Sequence, residues 1–150
     1  MTFSIKRTTS NNPDFIKLVK QLDTELSKIN GDEDAFYAQF NKIDKINHVV
    51  LVYDGDNAFA CGAIKEFLPE AMEVKRMYTQ PNFRGKGVAS MLLQALEKWA
   101  KEMNYKKCVL ETSKRQPDAL ALYRKNGYEV TPNYGQYIGI ANSICFEKTI

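Results

Sequence analysis

Residues Arg84, Gly85, Lys86 and Gly87 stand between an apolar run that ends near Thr79 and an amphipathic run that starts at Val88. Two cations and two glycines at the mouth of a helix suit an anion. A helix N-terminus carries unpaired N–H groups and a partial positive charge. Glycine lets a ligand oxygen come within hydrogen-bond distance of the backbone, and Arg84 and Lys86 add charge. The turn suits a pyrophosphate. Two better-known phosphate loops do not fit. The Walker pattern needs Ser or Thr after its lysine, where Gly87 stands. The dinucleotide fingerprint needs a third glycine where Ser90 stands and an acidic partner about 20 residues on.

Other chemistries find less support. Cys61, Cys108 and Cys145 are scattered, without a CxxC pair, each in an apolar, strand-like setting. They read as reduced core thiols. A thiolate nucleophile needs a base, and nothing links the single histidine, His48, to any of them. Too few Cys and His ligands are present for a metal site. The chain of 150 residues suits one domain, 1–150, and its formal net charge of +3 fits an anionic small ligand without arguing for nucleic acid. No stretch reaches the roughly 20 apolar residues of a membrane span, and "MTFSIKRTTSNN" has no signal-peptide apolar run. A cytoplasmic location is the expectation.

The elements that must position the turn follow from periodicity. "TFSIKRT" alternates as a half-buried strand does. Asn12 and Pro13 start a helix whose apolar face is Phe15, Leu18, Val19, Leu22, Leu26 and Ile29, and Gly31 ends it. Asp32 can cap a second helix, with Phe36, Phe40 and Ile43 inward and Tyr37 beside them. "HVVLVY", the turn "DGDN" and "AFACGAIKEF" read as a hairpin. Pro69 precedes the strand "AMEVKRMYT". The helix after the glycine turn runs to about Met103 and buries Val88, Met91, Leu92, Ala95, Leu96 and Trp99. "YKKCVLET" is a strand, "QPDALALYRKN" a helix stopped by Gly127, and "GYEV" and "NSICFEKTI" close the chain. From Glu73 to Thr112 this is a strand–helix–strand unit, which predicts two parallel strands with a right-handed crossover.

Arg84 to Ala89 also satisfy a pattern of Gln or Arg, two residues, Gly, one residue, then Gly or Ala. Together with "MEVKRMYTQPNFRGKGVASMLLQALEKWA" and "LETSKRQPDALALYRKNGY", this resembles the GCN5-related N-acetyltransferase (GNAT) superfamily over nearly the whole chain. The resemblance implies an α/β fold of one domain: a mixed, mostly antiparallel sheet, splayed at one parallel pair, with helices on both faces. It implies acetyl-CoA as acetyl donor and a primary amine as acceptor. Met77, Tyr78 and Thr79 would flank the pantetheine arm, with backbone groups of Met77 and Thr79 pairing with it. Backbone amides of Arg84, Gly85, Lys86, Gly87, Val88 and Ala89, with Ser90 next to them, would hold the pyrophosphate. Ala119, Tyr123 and Arg124 would flank the far end of the cofactor.

Acetyl transfer needs a base for the amine, a donor for the thioester oxygen, and stabilisation of the departing thiolate. By resemblance Glu73, six residues before Thr79, is the candidate base, and Tyr123, four before Gly127, the candidate acid. The bland alternatives are a strand carboxylate paired with Lys75 and a tyrosine ring packed in the core. Glu111 is a second carboxylate for substrate. Tyr134 and Tyr137 in "NYGQY", and Tyr37 with Gln39 in "AFYAQFN", resemble a subgroup of HPA2-type acetyltransferases and are candidate substrate contacts, with surface packing or a dimer contact as the alternative. Glu66, Glu70 and Glu73 would favour a cationic acceptor. Ser113 stands where that subgroup often has glycine. Two rival readings are a non-catalytic acyl-CoA-binding sensor and an ATP-binding protein. A homodimer is expected by analogy only.

Overall fold

The computed structural model describes residues 2–35 and 45–150. Along the chain run β1 (Ser4–Thr8), α1 (Pro13–Asn30), β2 (His48–Asp54), β3 (Asn57–Leu68), β4 (Ala71–Thr79) and α2 (Val88–Glu102). They are followed by β5 (Lys107–Ser113), α3 (Pro117–Lys125), β6 (Glu129–Thr131) and β7 (Ser143–Thr149). Asn12 caps α1 as expected, its side chain accepting from the Asp14 N–H at 2.9 Å. Gly31 ends the helix at φ +55°, and a short 3-10 turn, Gly31–Glu33, follows. The expected second helix face of Phe36, Phe40 and Ile43, and Tyr37 and Gln39 with it, lies outside the described residues.

The seven strands form one sheet in the order β1-β2-β3-β4-β5-β7-β6. Every neighbouring pair is antiparallel except β4 and β5. Strand alternation divides the core in two. Val49 and Leu51 face α1 with Phe15, Leu18, Val19 and Leu22. Val50 and Val52 face the opposite side, where α2 supplies Leu92, Leu93 and Leu96. Helices therefore cover both faces, as expected.

The buried stripe of α2 is rotated from the expected one. Leu93 and Ala100 are fully buried, while Met91, Ala95 and Trp99 sit at the margin. The rotation brings Glu97 inward, where its carboxylate accepts from the Tyr128 hydroxyl at 2.9 Å and from Lys148 Nζ at 2.8 Å. A buried carboxylate is tolerated when it is paired in this way. The three cysteines are buried and free. Burial pushes the Cys61 and Cys108 thiols up to about 12 and Cys145 to about 11, so they are not poised thiolates. His48 packs edge-on against Trp99 with ring centroids 4.8 Å apart.

Two departures from a regular ladder shape β4. Opposite β3, the register steps from Cys61↔Tyr78 to Ala63↔Lys75. β4 thus carries one extra residue there, a bulge, with Arg76 at φ +60°. The bulge changes the facing of the strand. Before it, Met72 and Val74 join the α2-side core; after it, Tyr78 joins the α1-side core. Gly62 lies opposite, where a Cβ would stand 2.7 Å from Met77 Sδ and 3.0 Å from Leu96 Cδ1. On its other edge, β4 pairs with β5 only at Ala71↔Lys107, Met72↔Cys108 and Glu73↔Val109. Beyond Glu73 the two parallel strands separate.

Candidate active site

The separation of β4 from β5 opens a cavity of about 130 Å³. Its β4 wall is Glu73 to Met77; its β5 wall is Glu111, Thr112 and Ser113. Leu22, Leu26 and Asn30 of α1 close one side, and Tyr123 of α3 and Tyr137 reach it from elsewhere. The splay thus collects residues far apart in sequence.

Glu73 has a side chain 12 % exposed. Its Oε2 accepts a 2.7 Å hydrogen bond from the Tyr134 hydroxyl, and Lys75 Nζ stands 3.6 Å from Oε1. The Lys75 pairing raised as the bland alternative is present, beside a tyrosine contact. Glu111 Oε2 accepts from the Ser143 hydroxyl at 2.7 Å. Burial pushes the Glu111 carboxyl up to about 7. Ser143 and Lys75 oppose that rise, and the nearby Glu73 charge adds to it. Tyr123 is buried, and burial first, then Glu111, pushes its phenol up to about 12. Tyr134 and Tyr137 are raised too, chiefly by burial and then by the carboxylates.

The segment after β6 is held by Asn133, whose amide nitrogen donates to the carbonyls of Tyr137, Ile140 and Ser143 at 3.1, 3.2 and 3.1 Å. This clamp presents Tyr134 to Glu73. Phe67 of β3 packs on the Tyr134 ring at 4.6 Å. Sequence reasoning gave a role to neither Asn133 nor Ser143. Asn133 had a local signal, an Asn opening a Gly-containing turn. Ser143 had none, because it meets Glu111 through a long-range strand pairing. Of Glu66, Glu70 and Glu73, only the last lines the cavity. The Glu66 carboxylate is taken by the Tyr105 hydroxyl at 2.6 Å, at the end of the sheet where β3 turns into β4.

The glycine turn has the conformation its residues suggest. Gly85 and Gly87 have φ of +77° and +79°, and a Cβ on either would meet nothing within 4 Å. The backbone conformation, not crowding, demands glycine there, and the space beside the turn is open. The α2 ladder begins with Met91 N–H to Gly87 C=O at 3.1 Å, so the N–H groups of Val88, Ala89 and Ser90 have no intrahelical acceptor. Arg84 is differently employed from a free anion ligand. Its guanidinium forks onto Glu25 of α1 at 3.0 and 2.9 Å, and Nε donates to the Thr79 carbonyl at 2.8 Å. It locks the turn's shape. Tyr78 lies beneath it, with the ring centroid 5.7 Å away, while Lys86 is exposed over Phe83 at 5.5 Å. The Ser90 hydroxyl accepts from Asn126 at 3.0 Å, tying α2 to the end of α3. Ala119 is half-buried against the α2-side core. Arg124 is exposed and lines a separate hollow with Lys114 and Val130.

Residues 15–128 match the model of the acetyltransferase (GNAT) family. Over 134 residues, 81 % of this chain and 78 % of the relative, the sequence is 31 % identical to the uncharacterized N-acetyltransferase YjgM of Escherichia coli. It is 30 % identical to the IAA acetyltransferase of Azospirillum brasilense, with 90 % of both chains covered. A Klebsiella pneumoniae crystal structure described as a candidate acyl-CoA N-acyltransferase superposes with a TM-score of 0.82 at 28 % identity, covering 99 % of this chain and 97 % of that one. The PaiA N-acetyltransferase of Thermoplasma acidophilum, solved with coenzyme A, shares the fold at a TM-score of 0.74 and 16 % identity, each chain wholly covered. These relatives do not single out the HPA2-type subgroup. With the splayed parallel pair and the glycine turn at the head of α2, they show that the chain belongs to the acetyltransferase (GNAT) family.

Proposed function

We propose that this N-acetyltransferase moves an acetyl group from acetyl-CoA to a primary amine of a small molecule by direct attack within a ternary complex. The observation that carries the reading is the cavity at the splay, which gathers Glu73, Glu111 and Tyr123 where β4 and β5 cease to pair. Acetyl-CoA is the family's acetyl donor, and the chain's own geometry fits it. Gly85 and Gly87 leave open space beside the turn, and the first N–H groups of α2 are available to a pyrophosphate. Backbone groups at Met77 and Thr79 would follow the pantetheine arm, with one revision: the Thr79 carbonyl already holds Arg84.

In the reaction the amine lone pair attacks the thioester carbon. A C–N bond forms and the C–S bond breaks. Glu73 takes the amine proton directly or through water. The N–H at Met77, on the bulged stretch of β4, is the candidate donor to the thioester oxygen. CoA leaves as a thiolate that takes its proton from solvent. Tyr123, at about 12, is a weaker acid than an ordinary thiol near 8.5. It therefore serves by hydrogen-bonding the departing sulfur rather than by complete transfer. Glu111 and Tyr137 line the acceptor's side, small by the measure of a 130 Å³ cavity, and Tyr134 acts on the acceptor through its hydrogen bond to Glu73.

The test is thiol release from acetyl-CoA across a panel of amines. Turnover that falls steeply in Glu73→Gln and in Tyr123→Phe supports the reading. Full turnover in the double variant removes the assigned roles. CoA binding without thiol release from any amine would favour the sensor alternative. The same reading takes the enzyme as a cytoplasmic homodimer, and sedimentation giving about twice the 17.2 kDa chain mass supports the dimer.

A further inference from the structure

Arg76 is an odd residue for a strand interior. It sits at φ +60° in the β4 bulge, a backbone state that is strained for a non-glycine residue. Its side chain is 3 % exposed. One guanidinium nitrogen donates to Asp23 Oδ1 of α1 at 2.7 Å, while Nε is buried with no hydrogen-bond partner among the described residues. A guanidinium that only pinned α1 to the sheet would gain little from this arrangement. Asp23 is 47 % exposed, and pairs with so wet a partner are weak. A buried donor left without a partner is costly.

The cavity beside Arg76 is amphoteric. Arg76 and Lys75 line it together with Glu73 and Glu111. Lys75 is itself only loosely satisfied, its ammonium 3.6 Å from Glu73, beyond good hydrogen-bond distance. A simple alkylammonium would be drawn to the two carboxylates but repelled by the two cations. A molecule with an amine and a carboxylate answers both halves. Guanidinium groups pair with carboxylates by charge-assisted hydrogen bonds.

We infer that the acceptor is an amino-carboxylate, its amine directed to Glu73 and Glu111 and its carboxylate held by Arg76 with Lys75. The inference rests on the acetyl-transfer reading and names the substrate class of that same cavity.

The experiment compares matched acceptors that differ in the carboxylate: β-alanine against propylamine, and alanine against alaninamide. Thiol release gives kcat/KM for each with the wild type, Arg76→Met and Lys75→Met. In the wild type the carboxylate member of a pair is expected to be favoured about 10-fold or more, the size of one charge-assisted hydrogen bond. In Arg76→Met the preference should shrink toward one, through KM. If Arg76→Met fails to fold, Arg76→Lys and Lys75→Met carry the comparison. Turnover of plain amines without a carboxylate preference overturns the inference and leaves acetyl transfer standing. A preference that survives intact in Arg76→Met overturns it equally. No thiol release from any of the four acceptors while another amine of the panel turns over overturns the inference alone; no release with any amine overturns the acetyl-transfer reading with it.

Discussion

Glu73 and Glu111 occupy one cavity under different constraints, and the difference is testable. Glu73 is held by the Tyr134 hydroxyl, so the base role proposed for it rests on how it is aimed. Glu73→Gln keeps shape and hydrogen bonding but removes the basic oxygen. The expected fall in kcat is about 10²- to 10⁴-fold, the usual worth of general base catalysis, with the melting midpoint little changed. Glu111 raises a question of stability. Its carboxyl titrates near 7 in the fold, above an unfolded value near 4.3. The native state thus binds more protons than the unfolded state between those values, and stability falls as pH rises through that window. Glu111→Gln should flatten the profile: wild type should lose midpoint between about pH 4.5 and 7 relative to the variant. Parallel curves for the two proteins would mean that Glu111 is ionised and solvated in the fold.

At the scale of elements, the glycine turn shows how far local pattern reaches. Arg84 to Gly87 were readable as a helix-mouth anion site because glycine and charge are local signals, and both glycines have positive φ. Gly87→Ala forces a side chain into that conformation, a strain of about 1 kcal/mol or more. It should weaken acetyl-CoA binding measured by calorimetry while leaving the cavity intact; unchanged affinity would mean that the turn's conformation does not matter to the cofactor. The strands, α1 and the parallel pair were legible by the same logic, since period and turn residues are written along the chain. Three things were not. The employment of Arg84 depends on Glu25, 59 residues away. The bulge at Arg76 depends on register against β3. Ser143 reaches Glu111 only because β7 is inserted between β5 and β6. Each is set by tertiary pairing, which periodicity does not encode. The α2 stripe was misjudged for a similar reason: Glu97 looks like a solvent residue until Tyr128 and Lys148 meet it.

At the scale of the molecule, the sheet is two blocks joined by a short seam. β1 to β4 form an antiparallel block packed on α1 and α2; β5, β7 and β6 form another. Between them lie only three paired positions, although the α2-side core spans both. A ligand that fills the splay and grips the head of α2 adds contacts to both blocks at once, so its binding should be felt by the whole fold as a single transition. At about 100 times its dissociation constant a native-state ligand contributes about 2.7 kcal/mol, which for a chain of this size is a rise of about 5–10 °C in the melting midpoint. Acetyl-CoA should produce that rise. ATP should not, because the turn has Gly87 where a Walker loop places its magnesium-binding hydroxyl. A larger rise with ATP would reassign the turn to another phosphate. A rise with free CoA equal to that with acetyl-CoA would place the binding energy in the turn and pantetheine arm, leaving the acetyl group itself with little hold in the cavity. Acetyl-CoA that shifts only part of a two-step melt would show that the seam, and not the α2-side core, governs cooperativity.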